Sequence, residues 1–271
     1  AAQIGRPLFL VVTMRGHVMA RNYRNLLVWS TAASVLMVVG AFLPPVARLV
    51  VWAVAVAVDM AGPRFEFRVP GLGRTPMEEW PTDVEHLAER NRLVFIIALG
   101  ESILIMGFTL SEMEVVTPYA VVITLLGFAG LVALWWSYFA LAGHGTRAAS
   151  GDGSTRAARA AFAYAHGLMV AGAVLFAVAI DLHLTHPENT PALVLTSVGG
   201  PLLYLVGNKL YLQGRTGTVG WSRYAAAAVL AAAAAVALVA GHALPAIVIG
   251  LVVLAVVVGL AVVTELAERR A

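Results

Sequence analysis

Apolar runs of about twenty residues follow one another along nearly the whole chain, and they leave it few ways to fold. A helix of about 20 residues spans the ~30 Å hydrocarbon core of a bilayer. Inside that core the backbone must satisfy its own hydrogen bonds, which helices do within one segment. Nine such segments fall near residues 2–20, 25–43, 45–61, 86–110, 117–142, 158–183, 191–212, 222–241 and 243–264. The expectation is an all-α fold, a polytopic transmembrane helical bundle of about nine spans forming one integral membrane domain over residues 1–271. Only 12% of the residues are charged, about half the usual share of a soluble domain. The Pro44–Pro45 pair reads as a tight turn between two spans.

The positions of Lys and Arg predict a topology. Sixteen of them fall in the connections near 15–24, 62–92, 143–159 and 209–223 and at the C-terminus, against Arg48 alone in the alternate connections. That bias predicts that the basic loops, the long loop 62–85 and the C-terminus are cytoplasmic. A net charge of +3 and a pI near 9.5 do not indicate nucleic acid, because the basic residues are spread between apolar runs. The expected partners are the lipid bilayer and a small ion or solute. In loop 62–85, glycines and prolines predict irregular backbone, with Trp80 as an interfacial anchor. Residues 143–155 read as a polar linker whose glycines lack the Gly-Lys-Ser/Thr end of a phosphate loop. No dinucleotide fingerprint or Ser/His/Asp order is present, and no cofactor is expected. The absence of cysteine excludes disulfides and thiol chemistry. The chain opens without Met and without a signal-peptide pattern, and reads as truncated at its N-terminus.

The chemistry-bearing candidates lie inside the apolar runs. Glu101 sits in the fourth, about 16 Å along the helix axis from Arg90. At 100° per residue, His86, Arg90, Ile97, Glu101, Leu104 and Phe108 share one face, with Glu89 on its flank. Ionisable groups on one stripe at bilayer depth predict a face turned to protein or to a water-filled path for protons or cations. They also suit a plain helix tie, with Gly100 allowing close approach. His166 is a second intramembrane candidate, able to relay protons or pair with Glu101. His86 and Glu89 form H-x-x-E, and Asp181, His183 and His186 form D-x-H-x-x-H; each is a weak metal pattern. Gly199-Gly200-Pro201 predicts a kinked span, with a broken helix as the sharper reading. Trp135, Trp136 and Tyr138 read as an interfacial aromatic belt, and the Ala225–Ala235 run as a closely packed helix.

Four blocks carry a family resemblance: HLAERNRLVFIIALGESILIMG at 86–107, LWWSYFA at 134–140, AYAHGLMVAG at 163–172 and GGPLLYLVGN at 199–208. Together they resemble the bacterial low temperature requirement A (LtrA) family. The resemblance implies a multi-pass protein of the bacterial cytoplasmic (inner) membrane. It adds weight to His86, Glu89, Arg90, Gly100, Glu101, Ser102, Trp136, Tyr138, His166, Gly200 and Pro201 as motif positions without assigning them roles. Two features depart from the family pattern: an N-terminal block with further spans is missing, and Ala140 stands where relatives often carry an acid. Three functions fit these expectations. The first is proton- or cation-linked transport around Glu101, the second a non-transporting membrane scaffold for stress adaptation. The third is an intramembrane metal-dependent enzyme.

Overall fold

The structure is a computed structural model that describes residues 2–76, 84–142, 164–216 and 220–268. In chain order the helices are α1 (Ala2–Thr13), α2 (Val18–Ala41), α3 (Pro45–Arg64), α4 (Val84–Ser111) and α5 (Pro118–Ala142). They continue with α6 (His166–Thr185), α7 (Pro191–Thr216), α8 (Trp221–Ala240) and α9 (Ala246–Glu268). Among the described residues there is no strand, only an isolated antiparallel bridge between Val69 and Gly73. Among the described residues eight helices, α2 to α9, are long and apolar enough to cross a membrane. Trp80, the linker at 143–155 and the C-terminal arginines Arg269 and Arg270 lie outside the described residues.

The first expected span is divided. Gly16 takes a left-handed φ of +89°, and His17 caps α2 by accepting from the Met19 amide at 3.2 Å. Arg15 and His17 thereby fall in a turn, and α1 keeps 12 residues, about 18 Å and shorter than a bilayer core.

The chain forms two compact units, Ala1–Thr82 and Asp83–Ala271. In the first, α2 packs against both α1 and α3. At the α2–α3 turn, Trp52 donates to the Met37 carbonyl at 3.0 Å and lies under the Arg48 guanidinium. At the other end the chain after α3 is an ordered loop: Asn25, wholly buried, donates to Thr75 at 3.2 Å, and Trp29 donates to the Arg68 carbonyl at 3.1 Å.

The second unit is built on α6 and α7, its most closely packed pair. A Cβ at Gly172 would lie 2.6 Å from the Tyr204 amide nitrogen, and one at Gly200 would lie 2.7 Å from that of Phe176. A Cβ at Gly207 would meet the Ala165 carbonyl at 2.5 Å. Only glycine lets these two backbones touch. Pro201 sits inside an unbroken α7, so the Gly-Gly-Pro segment does not break the helix. Among the described residues a Cβ at Gly100 would meet nothing within 4 Å, so no close helix approach is made there. α4 packs on α6, α9 on α5, and α8 on α7 and α9. Asn189, buried, donates to the Ala237 and Gly241 carbonyls and fastens the α6–α7 connection to the end of α8. The Ala-rich α8 buries a single stripe, Arg223, Ala226, Leu230 and Ala237.

Candidate functional site

Polar side chains of the second unit gather at the two ends of an apolar core. At the first end α4 brings Phe95, α5 brings Ser137 and Tyr138, α6 brings His166, α7 brings Tyr204 and Asn208, and α8 brings Arg223. Tyr138 is buried, stacked on Phe95 at 4.3 Å between centroids, and shares a 2.6 Å hydrogen bond with Nε2 of His166. The imidazole stands edge-on to Tyr138 and to Tyr211, and the Asn91 backbone of α4 faces it. Tyr204, 1% exposed, donates to Ser137 Oγ at 3.3 Å. One turn on, Asn208 Oδ1 accepts from Arg223 Nε at 2.6 Å. A guanidinium, an amide, two phenols and an imidazole therefore tie four helices together in an otherwise apolar setting, with Phe95 of α4 stacked against them. Groups of this kind are kept inside a membrane bundle only when hydrogen-bonded.

This corrects the reading of Tyr138 as part of an aromatic belt. Trp135 and Trp136 do face outward, and Trp136 Nε1 donates to Glu265 at 3.4 Å, but Tyr138 belongs to the core. Ser137, Tyr204, Asn208 and Arg223 were not anticipated as a network. Tyr204 and Asn208 are spaced i, i+4, which puts them on one helix face, and that spacing was the available signal. Arg223 looks in the sequence like one more loop charge.

At the opposite end Thr109 of α4 donates to Asp181 Oδ1 at 2.7 Å, and His183 Nε2 lies 3.2 Å from Ser197 Oγ. His183 and Ser197 border a pocket of about 30 Å³ between α5, α6, α7 and α9. His186 is exposed and bonds Thr185 at 2.9 Å. Asp181, His183 and His186 are thus committed to three different partners. His86 and Glu89 pair with each other at 3.8 Å on the exposed surface of α4. Among the described residues no three His, Asp or Glu side chains converge as a metal site.

Glu101 stands apart from both clusters. The expected stripe exists: His86, Glu89, Arg90, Ile97, Glu101, Leu104 and Phe108 are all exposed, while Phe95, Ala98, Leu99, Ser102 and Met106 form the buried face. Glu101 makes no hydrogen bond or ion pair among the described residues, and His166 bonds Tyr138 rather than Glu101. Ser102 beside it turns inward and donates to the Ala98 carbonyl at 2.9 Å. Counting along α4, Glu101 is about 9 Å past Phe95 of the first cluster and about 12 Å before Thr109 of the second. It lies at half depth between the polar ends, on the outer face of the unit.

The comparisons bear on the whole chain. The family profile described as Bacterial low temperature requirement A protein (LtrA) matches residues 1–262. An uncharacterized protein of Rhizobium meliloti (strain 1021) is 35% identical over 226 residues, covering 76% of this chain and 52% of that protein. The chain therefore spans about half the length of the curated relative it matches. No solved structure matches it. The match over residues 1–262, together with eight helices able to cross a bilayer, makes this chain a multi-pass membrane protein of the LtrA family.

Proposed function

We propose that this protein moves protons or a small cation across the bacterial cytoplasmic membrane, with the Glu101 stripe of α4 forming one wall of the path. The observation that carries this reading is a carboxylate without a partner among the described residues, well inside a 28-residue apolar helix. Against lipid, an acidic group at that depth costs about 2.5–3.5 kcal/mol on insertion scales. A face that bears it is better matched to water or to a polar partner. Arg90 and the His86–Glu89 pair lie on or beside the same face toward one end, where they can gather ions at the mouth. In this reading the whole chain is one integral membrane domain. The arginine-rich ends and the C-terminus face the cytoplasm.

The test is flux into vesicles reconstituted with the full chain, comparing wild type with Glu101→Gln and Glu101→Asp. The proposal expects Gln to abolish most of the flux and Asp to retain part of it. Equal flux in wild type and Glu101→Gln would remove Glu101 from any path. A second reading, a non-transporting scaffold, is favoured by the burial of the hydrogen-bonded Tyr138–His166 and Asn208–Arg223 pairs. It expects no wild-type flux at all and a loss of thermal stability when those pairs are broken.

A further inference from the structure

The first unit carries a second kind of surface, independent of Glu101. α2 and α3 form an antiparallel hairpin whose turn, Phe42–Pro44, lies at one end. At the other end lie the α1–α2 turn with Arg15, the start of α2 with Arg21 and Arg24, and the end of α3 with Arg64. The loop that follows α3 adds Arg68 and Arg74 to that end. All six are exposed. Glu66 is bound to Arg74 at 3.5 Å, and Asp59 lies more than a turn deeper on α3. Among the described residues, the side chains of Arg24, Arg64 and Arg68 make no hydrogen bond or ion pair. Arg48 at the turn end behaves differently: it donates to the Leu43 carbonyl and lies against Trp52.

The loop that presents Arg68 and Arg74 is a built structure. Glu66 and Phe67 adopt left-handed φ of 51° and 46°, which non-glycine residues adopt only under constraint. Phe67 packs its ring on Gly62, and its amide donates to the Gly62 carbonyl at 2.8 Å. Thr75, wholly buried, donates its amide to the Glu66 carbonyl at 2.8 Å. Asn25 ties the returning limb of the loop to α2 at Thr75, and Trp29 ties the outgoing limb at the Arg68 carbonyl. Phe65, 61% exposed, stacks on Trp29 at the level where these apolar helices give way to arginines. Strained backbone, two buried polar anchors and an aromatic at the apolar–polar boundary together present exposed arginines at one end of two membrane-length helices. Arginine suits phosphodiester oxygens through its planar fork of donors, and basic clusters next to spanning helices attract anionic lipid.

We infer that this arginine collar binds the headgroups of anionic phospholipids in the surrounding bilayer. The full chain, purified in detergent and exchanged into bilayer discs of phosphatidylcholine with phosphatidylglycerol, is assayed for co-retained lipid by native mass spectrometry. Wild type is expected to retain phosphatidylglycerol over phosphatidylcholine. Arg24→Gln, Arg64→Gln and Arg68→Gln together should weaken that preference by about five-fold per arginine removed. The corresponding Lys substitutions should keep most of it. Equal retention of the two lipids by wild type would overturn the inference, and this comparison needs no variant to fold. Undiminished preference in the Gln triple would also overturn it, as would displacement by millimolar inorganic phosphate. The acids that follow the loop, Glu78 and Glu79, are the rival partners. If lipid bound only after Glu78→Gln and Glu79→Gln, the arginines would belong to those acids and the collar would not be a lipid site.

Discussion

A hydroxyl and an imidazole 2.6 Å apart in an apolar setting make Tyr138 and His166 dependent on each other. Removing one partner leaves the other buried with a bond unmade, which costs more than removing both. Tyr138→Phe and His166→Leu should therefore each lower the thermal midpoint in detergent. Their double mutant should show a coupling of about 1 kcal/mol, within the range measured for hydrogen bonds between membrane helices. Additive single effects would mean that the bond contributes nothing. Asn208→Leu should be more damaging, because it removes the 2.6 Å acceptor of a buried guanidinium. We expect a loss of about 2 kcal/mol or more, partly restored by Arg223→Met in the same chain. Such pairs were only half legible in the sequence. His166 stood out as an intramembrane imidazole, whereas Tyr138 looked like its neighbours Trp135 and Trp136. Which of these three nearby aromatics turns inward depends on where α4 packs, and no local pattern carries that.

The contact between α6 and α7 is set by glycine. A methyl group at position 172 or 200 would have to displace backbone, which cannot yield as a side-chain tip can. Gly172→Ala and Gly200→Ala should each destabilise the protein by about 1–3 kcal/mol, in line with overpacking of tight cores. Gly100→Ala, with open space around it, should be close to neutral or slightly stabilising. Differential scanning of the three variants in one detergent separates these outcomes; equal effects at 100 and 200 would contradict the packing described. Along α8, Ala237→Leu should destabilise and Ala231→Leu should not, since only the first lies on the buried stripe. Element number and type were plain from run length alone, and the helices fall where the apolar segments do. The exceptions have local causes, as where Gly16 and His17 cut the first run short. The roles of individual glycines were not plain: Gly100 and Gly200 look alike in a string, and only the partner helix distinguishes them.

As a whole, the described residues form eight membrane-length helices, and the second unit holds polar clusters at both ends of an apolar core, with Glu101 between them on its outer face. The arginine-rich connections predict which ends share one side of the membrane, but the sense of insertion is a separate proposal. Cysteine substitutions in loops of this cysteine-free chain, labelled from one side of the membrane, test it. Family membership was legible because the blocks around Glu101, Tyr138, His166 and Gly200 resemble the LtrA family, and the family profile matches residues 1–262. What the Glu101 face meets was not, because contact across a helix surface depends on neighbours that a sequence does not order in space. The most direct measurement is a cysteine scan of α4 in vesicles with a membrane-impermeant maleimide. The account predicts labelling at Ile97→Cys, Glu101→Cys, Leu104→Cys and Phe108→Cys, and none at the buried Phe95→Cys or Leu99→Cys. It also predicts none at the exposed Leu125→Cys of α5, a control on an outward face that carries no ionisable stripe. Glu101→Cys no more reactive than Leu125→Cys would contradict a water-lined path along α4.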